Sequence, residues 1–309
     1  MKFLTYRRRD MATRAGVLYG EEKVINLTAL LRAETPIEDI GALLSRYENA
    51  KETVEESIGR CTDLNAVFAA PEDVKLCAPI LRPPTLRDAS CFERHAISAG
   101  ENSGIGVPSC WYKAPLFYFQ NTNCITGPED TVYRKRGSTT LDYEAEVAIV
   151  IGKRGRDISE AETLEHIFGL TVFNDWSDRA RCSFEVGYLG LHKGKDTASG
   201  LGPYIVTVDE FTDVIKEGKL TLKVDAWVDD VHTTDSLTDD MYWSLPQLMA
   251  YVSEDTEVVP GDVIGLGTVG TGCIFERPYM FPYLSDGATV RIEVERIGTL
   301  RQYVGYRND

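Results

Sequence analysis

Between Leu141 and Gly152 the chain alternates in the way a β-strand requires. Tyr143, Ala145, Val147, Ile149 and Ile151 fall on one face, and Glu144, Glu146, Ala148 and Val150 on the other. Gly152 to Asp157 reads as a turn. Ser159, with Glu162 three residues on, forms a capping box that predicts a short helix through about Phe168. Leu170 to Asn174 is a second strand, delivering Asp175 at its carboxyl end. Further strands are expected at Leu220 to Val228, Asp262 to Gly267 and Ala288 to Glu295. Upstream, short strands at Lys2 to Tyr6, Arg14 to Tyr19 and Lys23 to Leu27 precede a polar amphipathic helical region. That region runs from Pro36 to about Arg60 and carries Ile37, Ile40, Leu43, Leu44 and Tyr47 at helical spacing. Pro79 to Pro84 forces extended backbone, so the chain divides into a small amino-terminal module, 1–78, and a strand-rich part, 79–309. No repeat or low-complexity tract is present.

Two carboxylates one strand period apart, in an otherwise apolar run, carry the chemistry. Glu144 and Glu146 must face the same way, and like charges held that close either raise one another's pKa or bind a cation. A hard divalent ion prefers such oxygen ligands, and Asp175 can supply a third. The ordinary alternative is a solvated strand face. Net charge is −15, which disfavours nucleic acid or an anionic membrane as partner. An anionic substrate would then need a local positive site, which a metal with Lys and Arg would supply.

The seven cysteines are scattered, odd in number and free of C-x-x-C pairs, unlike a disulfide framework or a zinc ribbon. No amino-terminal apolar run and no long uncharged apolar stretch occurs, so a soluble, cytoplasmic protein is expected. Of the four histidines, His166, His192 and His232 read as ordinary surface or core imidazoles. His95 precedes a glycine-bearing loop, Ala99 to Pro108, and residues 96–110 are a candidate lid. Lys195 is near enough in sequence to Asp175 to reach the same cleft.

Six motifs in order resemble the fumarylacetoacetate hydrolase superfamily over about residues 80 to 300. They are Leu86-Arg87-Asp88 through Phe92-Glu93-Arg94-His95; Asp142-Tyr143-Glu144-Ala145-Glu146; Asn174-Asp175-Trp176-Ser177-Asp178-Arg179; Lys193-Gly194-Lys195-Asp196 with Leu201-Gly202-Pro203-Tyr204; Gly267-Thr268-Val269-Gly270-Thr271-Gly272; and Cys273-Ile274-Phe275-Glu276. The resemblance implies an α+β fold with a rolled mixed β-sheet, usually in a homodimer. It implies that Glu144, Glu146, Asp175 and Asp88 ligate Mg²⁺ or Mn²⁺, with Ca²⁺ also suited. It further implies that His95 activates water, Glu276 orients His95, and Lys195 stabilises an oxyanion, with Arg179 and a Gly267-Thr268 turn at the substrate. Ser90 and Cys182 stand where the hydrolase named for fumarylacetoacetate has Tyr and Gln. Both are substrate-side positions, so a shift in substrate is expected.

The implied reaction is metal-dependent hydrolysis of a carbon–carbon bond in an anionic β-diketo acid. An oxaloacetate decarboxylase or a 2-hydroxymuconate-type isomerase of the same superfamily is the alternative with the same site. A non-catalytic metal-binding scaffold is the alternative from another class.

Overall fold

The computed structural model describes residues 1–70, 74–134 and 137–306. The strand expected from Leu141 runs Glu144–Ile151, and all eight of its residues are buried. Its two faces feed different cores. Ala145, Val147, Ile149 and Ile151 pack in a cluster with Trp176 and Leu266, whereas Ala148 and Val150 pack with Phe173, Leu201 and the amino-terminal Phe3, Ile40 and Leu43. Burial on both sides explains why Val and Ile dominate this strand.

It lies near the middle of an 11-stranded mixed sheet among the described residues, with the main order Lys23–Asn26, Thr13–Tyr19, Lys2–Arg7, Ser199–Thr207, Ile167–Asp175, Glu144–Ile151, Val263–Cys273, Leu86–Ala89, Phe117–Phe119. Most neighbours are antiparallel, but Leu86–Ala89 runs parallel to Val263–Cys273. A second, five-stranded sheet contains Lys223–Val228, Thr289–Val294 and Gly298–Tyr306. Its buried face, with the helix Leu245–Ser253, completes the larger core. The α+β class read from the sequence is the one observed. The strands of residues 1–78 are hydrogen-bonded into the large sheet, Phe3 opposite Ile205, so a continuous sheet crosses the Pro-rich stretch.

Three local expectations change. The capping box of Ser159 and Glu162 forms, but the helix it opens ends at His166, because Ile167–Asp175 is already strand and Phe168 packs against Phe3 at 5.0 Å between ring centres. The strand expected from Asp262 is present, but Gly267-Thr268 is not a turn. Both residues lie within an 11-residue strand, Val263–Cys273, whose register against Glu144–Ile151 shifts at Glu146, with Gly267 at φ +95°. Glycine allows that conformation, and a Cβ there would sit 2.6 Å from the Ala89 carbonyl oxygen. The expected lid is partly helix. Glu93–Ser103 is helical and stops at Gly104, φ +74°, leaving a shorter loop beyond it.

Candidate metal and active site

Four carboxylates converge where strands end or bulge. Asp88 stands on Leu86–Ala89, opposite Gly265; Glu144 and Glu146 open the central strand; and Asp175 closes its neighbour. All four are buried, and one oxygen from each lies within 4.8 Å of the others. Gly265 leaves room for the cluster, since a Cβ there would be 2.4 Å from Asp88 Oδ1 and 2.8 Å from Phe173 Cε1.

Each carboxylate has a holder. Glu146 accepts hydrogen bonds from the Gly267 amide at 3.1 Å and the Thr268 hydroxyl at 3.0 Å, which is what the bulge accomplishes. The Lys195 ammonium donates to both Glu144 and Asp175. Arg179 Nη1 pairs with Glu144 at 2.7 Å, while its Nη2 and Nε reach Asp142 at 2.7 and 2.9 Å. Asp142 in turn accepts from the Ile274 and Phe275 amides, both at 2.9 Å. The Tyr118 hydroxyl lies 2.6 Å from Asp88 Oδ2 and 2.5 Å from Asp175 Oδ2. Asp142, with Leu141 paired to Asp178 and Ser177 opposite Asp142 itself, ties this network to the start of the Arg179–Glu185 helix.

The electrostatics are unbalanced. Burial, joined by repulsion from Asp88, Glu144 and Asp175, pushes the Glu146 carboxyl well above its usual range. Burial also raises Asp88 and Asp175 despite the attraction of Lys195. Burial would raise Glu144 too, but the Lys195 and Arg179 cations hold it below the usual carboxylate range. Five buried carboxylates, counting Asp142, thus face two buried cations. Oδ1 of Asp88 and Oδ1 of Asp175 are buried without a hydrogen-bond partner. Orphaned carboxylate oxygens beside uncompensated negative charge fit a hard divalent cation bound through oxygen.

Beside this cluster, on the helix Glu93–Ser103, His95 Nδ1 lies 2.9 Å from Glu276 Oε1. The other Glu276 oxygen accepts from the Thr271 amide at 2.9 Å, and the Cys273 thiol lies 3.6 Å from Oε1. Burial alone would lower the His95 pKa, but the hydrogen bond and charge of Glu276 raise it. His95, Arg179, Lys195, Ser90, Cys182, Gly267 and Thr268 all line one cavity of about 270 Å³ with Asp88, Glu144 and Glu146. Every site residue expected from the sequence is therefore at or around one cleft. Asp175 borders it through Lys195, and Glu276 through His95.

The sequence reading missed several residues. Tyr118 lies in the aromatic run Phe117–Phe119 and carries no motif of its own. Asp142 resembles any strand-start acid, yet it is wholly buried against Arg179. Trp111 Nε1 donates to Ser90 Oγ at 2.8 Å, and Asn102 Nδ2 donates to the Phe275 and Glu276 carbonyls at 2.8 and 3.0 Å. These contacts join distant segments that no local pattern connects. The remaining histidines are unremarkable: His166 lies 3.0 Å from the Lys153 carbonyl, and His232 is 2.8 Å from Asp225.

Comparison with known proteins agrees with this geometry. Residues 85–305 match the model of the fumarylacetoacetate (FAA) hydrolase C-terminal family. The chain is 30% identical over 232 residues to the oxaloacetate tautomerase FAHD2A, mitochondrial, of Bos taurus, spanning 74% of this chain and 68% of that one. Among solved structures, a fumarylacetoacetate hydrolase from Exiguobacterium antarcticum superposes with a TM-score of 0.77 at 25% identity, covering 99% of this chain and 100% of that one. A maleylpyruvate hydrolase from Sphingobium sp. SYK-6, solved with manganese(II) and pyruvate, gives 0.72 at 23% identity over 99% of each chain. With the match spanning most of its length and the acidic cluster in place, this chain belongs to the fumarylacetoacetate hydrolase superfamily.

Proposed function

We propose that the protein is a Mg²⁺- or Mn²⁺-dependent hydrolase that cleaves the carbon–carbon bond of an anionic β-diketo acid of the acylpyruvate type. The observation that carries this reading is the His95–Glu276 pair at 2.9 Å, whose His95 lines the same cavity as Asp88, Glu144, Glu146 and Lys195. An isomerase or tautomerase has less need of an oriented base for water. The metal centre itself would be made by Asp88, Glu144, Glu146 and Asp175. A bound divalent cation supplies Lewis-acid polarisation of the substrate's 2-oxo acid oxygens and fixes its orientation.

The remaining work belongs to side chains. Glu276 accepts from His95 Nδ1, so Nε2 is the nitrogen left to take a proton from water. The water oxygen bonds to the distal carbonyl carbon, whose π electrons move to oxygen. As the tetrahedral centre collapses, the carbon–carbon bond breaks and its electron pair passes to the 2-oxo acid fragment as an enolate, which takes up a proton. The products are a carboxylic acid and a 2-oxo acid. Lys195, held charged by Asp175 and Glu144, offsets negative charge as it develops on oxygen; one well-aimed donor of this kind contributes about 3 kcal/mol. Arg179 lines the cavity with its guanidinium engaged by Asp142 and Glu144, so its role is to fix Glu144.

A second reading is tautomerisation of oxaloacetate, which the bovine relative's name favours, with oxaloacetate decarboxylation as the related alternative at the same site. The test is turnover of acetylpyruvate, fumarylacetoacetate and oxaloacetate by metal-stripped protein, with and without Mg²⁺ or Mn²⁺, beside His95→Ala. Metal-dependent cleavage of a diketo acid that disappears in His95→Ala supports the hydrolase. Metal-dependent conversion of oxaloacetate alone, surviving His95→Ala, moves the assignment to the second reading. A cytoplasmic setting and a homodimer belong to the same proposal. No described helix is long and apolar enough to cross a membrane.

A further inference from the structure

The cavity is chemically two-sided. Its charged lining side chains are Asp88, His95, Glu144, Glu146, Arg179 and Lys195, all belonging to the carboxylate cluster or packed beside it. The two permanent cations are already committed, Lys195 to Glu144 and Asp175, and Arg179 to Glu144 and Asp142. Away from the cluster the wall is mainly apolar, with Ala99, Ile105, Val107, Trp111, Val186 and Leu191; its polar side chains there are the uncharged hydroxyls of Ser183 and of Ser103, which donates to the Gly100 carbonyl. Trp111 presents its ring with its only polar atom satisfied by Ser90. Ile105 and Val186 are 64% and 45% exposed, so apolar surface at the mouth is wet until something covers it.

This wall is built rather than loose. The Gly106 amide donates to the Gly100 carbonyl at 3.0 Å, and a Cβ on Gly100 would lie 2.6 Å from the Gly106 carbonyl carbon, so the loop backbone rests directly on the helix Glu93–Ser103. Gly106 itself sits at φ +68°. On the opposite side, the Lys193 and Gly194 amides both donate to Glu185, at 2.8 and 2.9 Å, bracing the segment that carries Val186 and Leu191.

We propose that the acyl arm of the substrate is uncharged and apolar: the protein takes monoanionic 2,4-dioxo acids with an aliphatic or aromatic tail and rejects those whose tail ends in a second carboxylate. The inference rests on the reading that the carboxylate cluster engages the 2-oxo acid end. A tail carboxylate would lose water at a wall where no described cation is free to replace it, whereas each methylene covers Ile105, Val107 or Val186. An added methylene is then worth about fourfold in kcat/KM until the wall is covered.

The experiment has two arms on the Mn²⁺-loaded protein. Turnover is measured for 2,4-dioxo acids with methyl, propyl, pentyl and phenyl tails, and for one whose tail ends in a carboxylate. Binding of 2-oxoheptanoate and of 2-oxoadipate, which have no cleavable diketone, is measured by calorimetry. The inference expects kcat/KM to climb with tail length, the carboxylate-ended tail to fall at least tenfold below its neutral counterpart, and 2-oxoheptanoate to bind at least tenfold tighter than 2-oxoadipate. In Ile105→Lys, a change at an exposed position, the preference between the two 2-oxo acids narrows or inverts. Equal binding of the two, or tighter binding of 2-oxoadipate, overturns the inference even if acetylpyruvate is cleaved. Graded binding without turnover of any 2,4-dioxo acid leaves the apolar wall standing and overturns the hydrolase reading instead.

Discussion

Stripping the metal should invert the ordinary dependence of stability on pH. Asp88, Glu146 and Asp175 have their carboxyls raised by burial, and Glu146 further by its neighbours' charges. In the unfolded chain such groups lose their protons near pH 4. Above that pH the metal-free folded state holds protons that the unfolded state has released. Stability is then fully present below the unfolded pKa and is lost as pH rises towards the raised folded values. His95 acts in the same direction from about pH 6.5 upward, because Glu276 raises its folded pKa over the effect of burial. Glu144, held low by Lys195 and Arg179, contributes in the opposite sense, but most of that contribution is present by pH 5 and it adds little slope above it.

Each proton retained only in the folded state gives a slope of about 1.4 kcal/mol per pH unit, so one such proton removes about 2.7 kcal/mol between pH 5 and pH 7. Urea unfolding in EDTA at pH 5, 6 and 7 measures this directly. A saturating divalent ion displaces the protons, so the same series in Mn²⁺ should be flat or rise, and Mn²⁺ affinity should strengthen with pH. Stability of the EDTA-treated protein that stays level or increases from pH 5 to 7 would refute the reasoning, because the charge excess would then be relieved by something other than protons.

Three further outcomes follow from particular contacts. Gly265→Ala drives a methyl against Asp88 Oδ1 and Phe173, both buried; it should cost about 1–3 kcal/mol in urea unfolding and weaken Mn²⁺ binding about tenfold or more by calorimetry. Glu276→Gln can accept from His95 or from the Thr271 amide but not from both through carboxylate oxygens, so kcat for the preferred diketo acid should drop about 10²-fold with KM little changed. Arg179→Met leaves Asp142 wholly buried with only two backbone donors. It should destabilise the protein by about 3–5 kcal/mol in chemical unfolding, whereas exposed pairs such as Arg60–Glu56 should show less than about 1 kcal/mol.

The parts of the site that could be read from the sequence are those where chemistry violates a local pattern. Glu144 and Glu146 stand out because an apolar strand should not carry them, and Asp175 because it ends another apolar strand. The helices of residues 40–60 follow from spacing alone, although they form two pieces, Ile40–Arg46 and Ala50–Arg60, with Tyr47 between. What spacing does not carry is register. The resemblance implies a turn at Gly267 and Thr268, and only the bulged pairing with Glu146 makes them strand residues that grip its carboxylate. Tyr118 and Asp142 were invisible for a related reason: a phenol and an acid acquire meaning from partners far along the chain, Asp175 in one case and Arg179 in the other.

The seam between Lys2–Arg7 and Ser199–Thr207 has a practical consequence. The matched family region begins only at residue 85, which invites expression of the catalytic portion alone. Such a truncation would strip the partner from one edge of Ser199–Thr207, leaving unpaired amides and carbonyls open to other chains. It would also remove Phe3, Ile40 and Leu43 from the cluster that includes Phe173, which sits against Gly265 and lies two residues before Asp175. The shortened product should aggregate and hold metal poorly. The amino-terminal residues thus back the strand that carries Asp175, and screening of substrates or inhibitors belongs on the full chain.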